Sequence, residues 1–362
     1  MTNSTKFRAL LLGSAVALAC SAVAQPATTM QGPAMQRAVT PAATVEQGKM
    51  EGLELLDKIG SYTGPVMSYQ AVRPTPAHIQ DVVKLSGRLG AGAGVKFGAE
   101  ALKGDEVHKL WNSASDHSAL FQVDTRTGNF IFEGGMNRYR KDASTKGLPT
   151  EQAAAEAARG KLAELGLKPE GGEVKLAHVG GLDMGVTDGK GNTKIYEKLR
   201  TVRFSRVLGG LPVEGDSRIV VQLGEGGAVS GLFYQWPTVN ETKLGRDALA
   251  DGQSMKSRAL ETIRAGSAKA VRSKLVTADL VLYDDGAGVI EPAYHFVVQQ
   301  YFAFPPGALT MNPFDFYLPA LRNSNVNLPK INAAAKAPVE DRGQTKPTNN
   351  MQNMQMQHPA GQ

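Results

Sequence analysis

The chemistry-capable residues of this 362-residue chain are few and scattered: six histidines, one cysteine and 34 carboxylates. His78, His108, His117, His178, His295 and His358 include no pair four residues apart around a glutamate, so the zinc-binding helix of a metallopeptidase is absent. Asp116, His117 and Ser118 stand side by side. Members of a catalytic triad meet in space from distant segments, so this adjacency reads as a polar turn. Asp183 and Asp188 around "TDGKGN", and Asp284 and Asp285 in "YDDGAG", lack the alternating carboxylates and closing glutamate of a calcium loop and read as hairpin turns. His178 and His295 fall in expected strands near Glu173 and Glu291. A His–Glu pair could exchange protons, but a lone strand histidine is expected to pack. No catalytic residue and no cofactor is therefore expected.

Two further patterns carry alternatives. "MQNMQMQHP" offers Met351, Met354, Met356 and His358, and Met30 and Met35 lie near the other end. Thioethers are soft ligands suited to Cu(I), which makes metal handling through these Met-rich ends an alternative function. Gly90, Gly92 and Gly94 suggest a phosphate loop, but they lack its spacing and its strand–loop–helix setting, and read as a flexible loop. An enzyme with an unrecognised site is the remaining alternative.

The chain opens with Lys6 and Arg8, continues with a short apolar run, and reaches Ala22-Val23-Ala24. This is the pattern of a cleaved export signal, with Gln25 as the first mature residue and a secreted or periplasmic destination. Cleavage removes Cys20, the single cysteine, and with it disulfide and thiol chemistry. A lipoprotein signal would want leucine where Ala17 stands. Losing Lys6 and Arg8 lowers the formal charge from +6 to +4. The remaining basic residues are dispersed, which excludes a nucleic-acid surface, and no stable membrane insertion is expected after cleavage. Asn240 sits in a glycosylation sequon that reads as a loop.

The elements that must position any site follow from periodicity. Residues 25–44 and 331–362 are low in complexity and read as disordered. Residues 45–118 include a short amphipathic helix through Met50, Leu53, Leu56 and Ile59, but their fold is open. Residues 119–246 hold a hairpin around "TRTGN", a helix opened by Thr150 and closed by Gly166, and strands in which Ile219, Val221 and Leu223 share a buried face. Residues 247–303 repeat the pattern, with a helix through Met255, Ala259 and Ile263 followed by a hairpin. Residues 304–330, rich in proline and aromatics, read as an extended strap. The expected fold is α+β, with antiparallel sheets, packed helices, two helix–hairpin units and disordered termini. Pro212 cannot donate to a ladder, which places "GLPV" at a strand start or a sheet edge.

The helix in "LPTEQA…LGL" and the stretch "RFSRVLGGLPVEGDSRIVVQLGEGGAVSGLF" resemble the propeptide-type domains called PepSY and FTP. Gly210, Leu211, Pro212 and Val213 match their Gly-x-Pro-Val step, and Arg218 to Val221, Gly227 and Val229 match the strand and turn that follow. Such domains precede thermolysin-like peptidases or stand alone in exported proteins. With no peptidase motif in the chain, the resemblance implies a stand-alone, non-enzymatic binding protein. Its partner would be a protease, another exported protein or an extended peptide, inhibited or assisted through Gly210–Val213 and Arg218, unless the resemblance reflects only a shared scaffold.

Overall fold

The computed structural model describes residues 48–98, 105, 107–112, 118–188, 190–304 and 308–330. The expected export signal, both low-complexity termini, Asp116, His117 and the methionines near either end lie outside these residues. In chain order the strands are β1 (Lys49–Glu51), β2 (Val66–Ala71), β3 (His108–Asn112), β4 (Leu120–Asp124), β5 (Phe130–Glu133), β6 (Glu173–Thr187) and β7 (Thr193–Leu208). They continue with β8 (Leu211–Leu223), β9 (Val229–Gln235), β10 (Val239–Leu244), β11 (Arg272–Asp284), β12 (Val289–Phe304) and β13 (Ala308–Pro319). Three α-helices accompany them: α1 (Pro76–Ala93), α2 (Glu151–Glu164) and α3 (Gly252–Gly266).

Each helix begins where its sequence supplies a cap. The side chains of Thr75, Thr150 and Asp251 accept hydrogen bonds from the backbone N–H of His78, Ala153 and Ser254, three residues on in each case. Helix α1 corrects the reading of Gly90, Gly92 and Gly94 as a flexible loop. Ile79, Val82, Leu85 and Leu89 form a buried stripe that carries the helix through Gly87, Gly90 and Gly92, and only Gly94 turns left-handed to end it. Gly90 is required there, because a Cβ would stand 2.7 Å from the Val95 carbonyl oxygen and 3.3 Å from the Phe97 ring. The amphipathic segment at Met50–Ile59 becomes β1 and a 3-10 turn over Leu53–Lys58 instead of an α-helix.

The expectation of antiparallel sheets in two helix–hairpin units is overturned. The described strands join in one mixed sheet of thirteen, with the order β10-β2-β12-β11-β8-β9-β5-β4-β3; β1 adds to β11, β13 to β12, and β6 and β7 to β8. Two pairings are parallel. Lys49–Glu51 runs alongside Arg272–Lys274, and Val213–Gly215 alongside Leu282–Asp284. The second of these fuses the two expected units edge to edge. Local periodicity shows each hairpin but not a parallel neighbour some seventy residues away. The segment read as a strap forms β13, paired with β12 from Ala293↔Pro319 to Phe304↔Ala308.

The helices cover one face of this sheet. Helices α1 and α2 lie over Phe121, Phe132, Val202, Phe204, Ile219 and Val221, while α3 lies over Phe296, Val298, Phe314 and Phe316. Ala154 and Ala158 on α2 are fully buried, so the small side chains let the helix approach β7 and β8 closely. The register expected for β8 holds: Ile219, Val221 and Leu223 are each 0 % exposed. Replacing Val221 with Asp puts an unpaired charge there and should lower stability by roughly 3 kcal/mol or more. Urea unfolding of the two proteins measures this, and equal midpoints would contradict the packing.

Candidate functional site

The Gly210–Val213 step is built for folding. Gly209 and Gly210 have φ of 53° and 82°, the left-handed pair that a two-residue hairpin turn demands. They join β7 to β8 with Leu208 opposite Leu211 and Val207 opposite Pro212. Alternation along an antiparallel ladder turns the Pro212 nitrogen away from β7, and pairing with β11 starts only at Val213, so no ladder bond is lost. Val213 is buried among Leu208, Leu282 and Ile290. Strand β8 is thus an interior strand, with β7 on one side and β11 and then β9 on the other, so of the two places Pro212 allows the strand start holds and the sheet edge does not. A groove of about 450 Å³ opens beside the turn, lined by Tyr69, Gly172, Glu173, Leu208, Gly210 and Glu241.

Among the described strands that pair on one side only, β6 presents the longest edge. It pairs with β7 along Glu173–Thr187 and has no partner on its other side among the described residues. Most of its residues are exposed, Leu176 and Leu182 among them at 45 % and 43 %. Bulges after Leu176 and Leu182 break the edge into short straight stretches. Such irregularity discourages indiscriminate strand pairing. His178 lies on this edge opposite Arg203, with its Nε2 2.5 Å from where a Cβ on Gly180 would stand. The Glu173 expected near it pairs instead with Lys175 at 3.6 Å.

The face of the sheet turned away from the helices carries a polar stripe where β8 changes partner. Inward residues alternate with outward ones, so Arg203 on β7, Glu214 and Arg218 on β8, Gln235 on β9, Tyr283 on β11, His295 on β12 and Asp315 and Tyr317 on β13 all project to this side. His295 Nδ1 donates to Glu214 at 2.9 Å, and the Tyr317 hydroxyl donates to the same carboxylate at 2.7 Å. The His295 and Tyr317 rings stack 4.4 Å apart, and Tyr283 packs on Tyr317 at 4.7 Å. His295 Nε2 is buried without a hydrogen-bond partner, 3.9 Å from Asp315. Burial works against charge on His295, but Asp315 and Glu214 outweigh it and raise its pKa to about 9. Burial, then Glu214, raises Tyr317 strongly; burial, then Asp216, pushes Tyr283 up to about 12. A histidine so held is a cation at neutral pH and a poor proton acceptor.

Sequence reading found His295 but assigned it the wrong carboxylate. Glu291 is taken by the C-terminal stretch, accepting from the Ser324 hydroxyl at 2.7 Å and the Asn325 N–H at 2.9 Å. Glu214, Asp315 and Tyr317 were missed, since they come from strands whose pairing the sequence does not announce. The turn readings hold for three of the four aspartates: Asp188 accepts from the N–H of Lys190 and Asn192, and Asp284 and Asp285 accept from Gly286 and Ala287, whereas Asp183 lies within β6 opposite Glu197. Asn240, read as a loop, lies in β10 opposite Gln70. Another missed residue is Arg206, which is 0 % exposed and has no acidic partner among the described residues. Its guanidinium donates to the carbonyls of Glu170, Gly171 and Pro237 and lies over the Trp236 ring at 5.0 Å. Burial lowers its pKa to about 10. Among the described residues no three His, Cys, Asp or Glu side chains gather as metal ligands would, and no helix is long and apolar enough to cross a membrane.

No family model and no curated protein matches the chain. Among solved structures, an uncharacterized protein from Eubacterium rectale is similar at 12 % identity with a TM-score of 0.45, covering 74 % of this chain and 86 % of that one. The Bacillus megaterium YpeB C-terminal domain is similar at 11 % identity with a TM-score of 0.29, covering 72 % and 99 %. Likeness at these scores carries no functional weight.

The polar stripe makes stability depend on pH. The folded His295 pKa of about 9 lies above its ordinary 6.5, so its contribution is complete below pH 6.5 and is lost as pH rises through 9. The difference corresponds to on the order of 3 kcal/mol. Melting between pH 6 and 10 should show wild type losing this increment and His295→Gln nearly flat over the same range. Parallel losses in both proteins would place the titration elsewhere.

Proposed function

We propose that this chain is an exported, non-enzymatic binding protein of the propeptide-like kind, which holds an extended segment of another exported protein by adding it as a strand to β6. One observation carries the reading: fifteen residues of strand, Glu173–Thr187, present an open edge while the ribbon behind them is anchored in a large sheet. Unpaired backbone donors and acceptors along such an edge supply affinity for any extended chain, and flanking side chains select among them. Leu176 and Leu182 offer apolar contacts beside that ladder, and the groove next to Gly210 opens at its Glu173 end. The polar stripe does not favour catalysis, because its histidine is held as a cation and its carboxylates are already engaged.

The test replaces side chains on β6 without touching the core. Leu176→Lys with Leu182→Lys should leave the circular dichroism spectrum intact and reduce capture of the partner from the host's exported proteins by about tenfold or more, as expected when charge guards an edge strand. A photo-crosslinking residue at Leu182 should give a discrete adduct, and one at Lys256 on α3 should give none. Undiminished capture by the folded double variant would refute strand addition at β6.

A further inference from the structure

Arg203 and Arg218 are two guanidiniums on neighbouring strands, on the face of the sheet away from the helices, and neither has an ion-pair partner within 4.0 Å among the described residues. Burial, and then the like charge of Arg218, lowers the Arg203 pKa. Arg218 donates one hydrogen bond, to the Gly215 carbonyl at 3.1 Å, while Arg203 Nε is buried with no partner among the described residues. Gln235, opposite Arg218 on β9, also buries its side-chain oxygen without a partner. The one nearby acid on this face that could neutralise Arg203 is Glu214, and its carboxylate is already engaged by His295 and Tyr317. Polar atoms left unmet in a folded interior are costly, and here two of them share one patch with two like charges.

We infer that Arg203, Arg218 and Gln235 form a binding site for a carboxylate group. The guanidinium fork matches the two oxygens of a planar carboxylate, and a bound anion would remove the repulsion between the two arginines. An amide turned by half a rotation would present its NH₂ to the same anion. Glu214 and Asp216 offset part of the positive field, since each acts electrostatically on one of these arginines. The site therefore suits a monoanion better than a dianionic phosphate. This inference is independent of strand addition at β6.

The experiment is a titration of the full chain with sodium acetate, read by the ¹H–¹⁵N resonances of the arginine Nε–H groups, with chloride adjusted to hold ionic strength. The expected result is a saturable shift of the Arg203 resonance, with Arg218→Lys weakening the apparent affinity by about tenfold because a lysine keeps the charge but loses the fork. Sodium phosphate in place of acetate should bind more weakly. A shift that grows linearly, or is matched by chloride alone, would overturn the site, as would saturable binding that Arg218→Lys leaves unchanged. Tighter binding of phosphate than acetate would overturn the assignment to carboxylates.

Discussion

The structure depends on strand β8 serving two sets of neighbours. Its first half, Val213–Gly215, lies parallel to β11, and its second half, Arg218–Leu223, lies antiparallel to β9. Between them the chain must leave one partner and meet the other without leaving backbone groups unmet. Gly215, at φ 84°, makes that bend, pressed so closely on the Asp284 carbonyl that no side chain would fit. The Ser217 hydroxyl donates to buried Asp284 at 2.6 Å, which ties the bend to the end of β11. Without this junction, β6–β9 and β11–β13 would be separate sheets, each with an unprotected side.

The same junction explains where polar side chains collect. A strand that changes partner opens the sheet locally, and the outward residues of both halves converge across the gap. His295, Glu214 and Tyr317 therefore link β12, β8 and β13, three strands distant in sequence. Arg206 plays the corresponding part on the helix side. It holds the Glu170–Gly171 loop and Pro237 through their carbonyls, so its buried charge is spread over backbone dipoles instead of a carboxylate.

What the sequence showed was local. The cap at Thr150, the alternation of Ile219, Val221 and Leu223, and the strand start around Pro212 are all set by residues within a few positions of one another. Helix α1 is hidden because its glycines lower intrinsic propensity, and only the burial of the stripe from Ile79 to Leu89 overrides them. The mixed sheet was not legible for a different reason. Parallel neighbours such as Val213 and Leu282 leave no mark in either strand's own pattern. The polar stripe inherits that limit: each of its residues looks like an ordinary outward position until the strands are aligned.

The pairing of first strands with last has a kinetic meaning. Strand β1 closes on β11 across more than two hundred residues, and β2 is enclosed by β10 and β12. Ordering these strands requires closing very long loops, and that entropy must be met before the contacts can repay it. Strand β2 therefore has no partner until Val239–Leu244 has been synthesised, and β1 has none until Arg272–Lys274 has been. The leading strands of a nascent chain of this design stay unpaired until β3 to β9 have been made, the condition in which a polypeptide can still be threaded through a narrow channel.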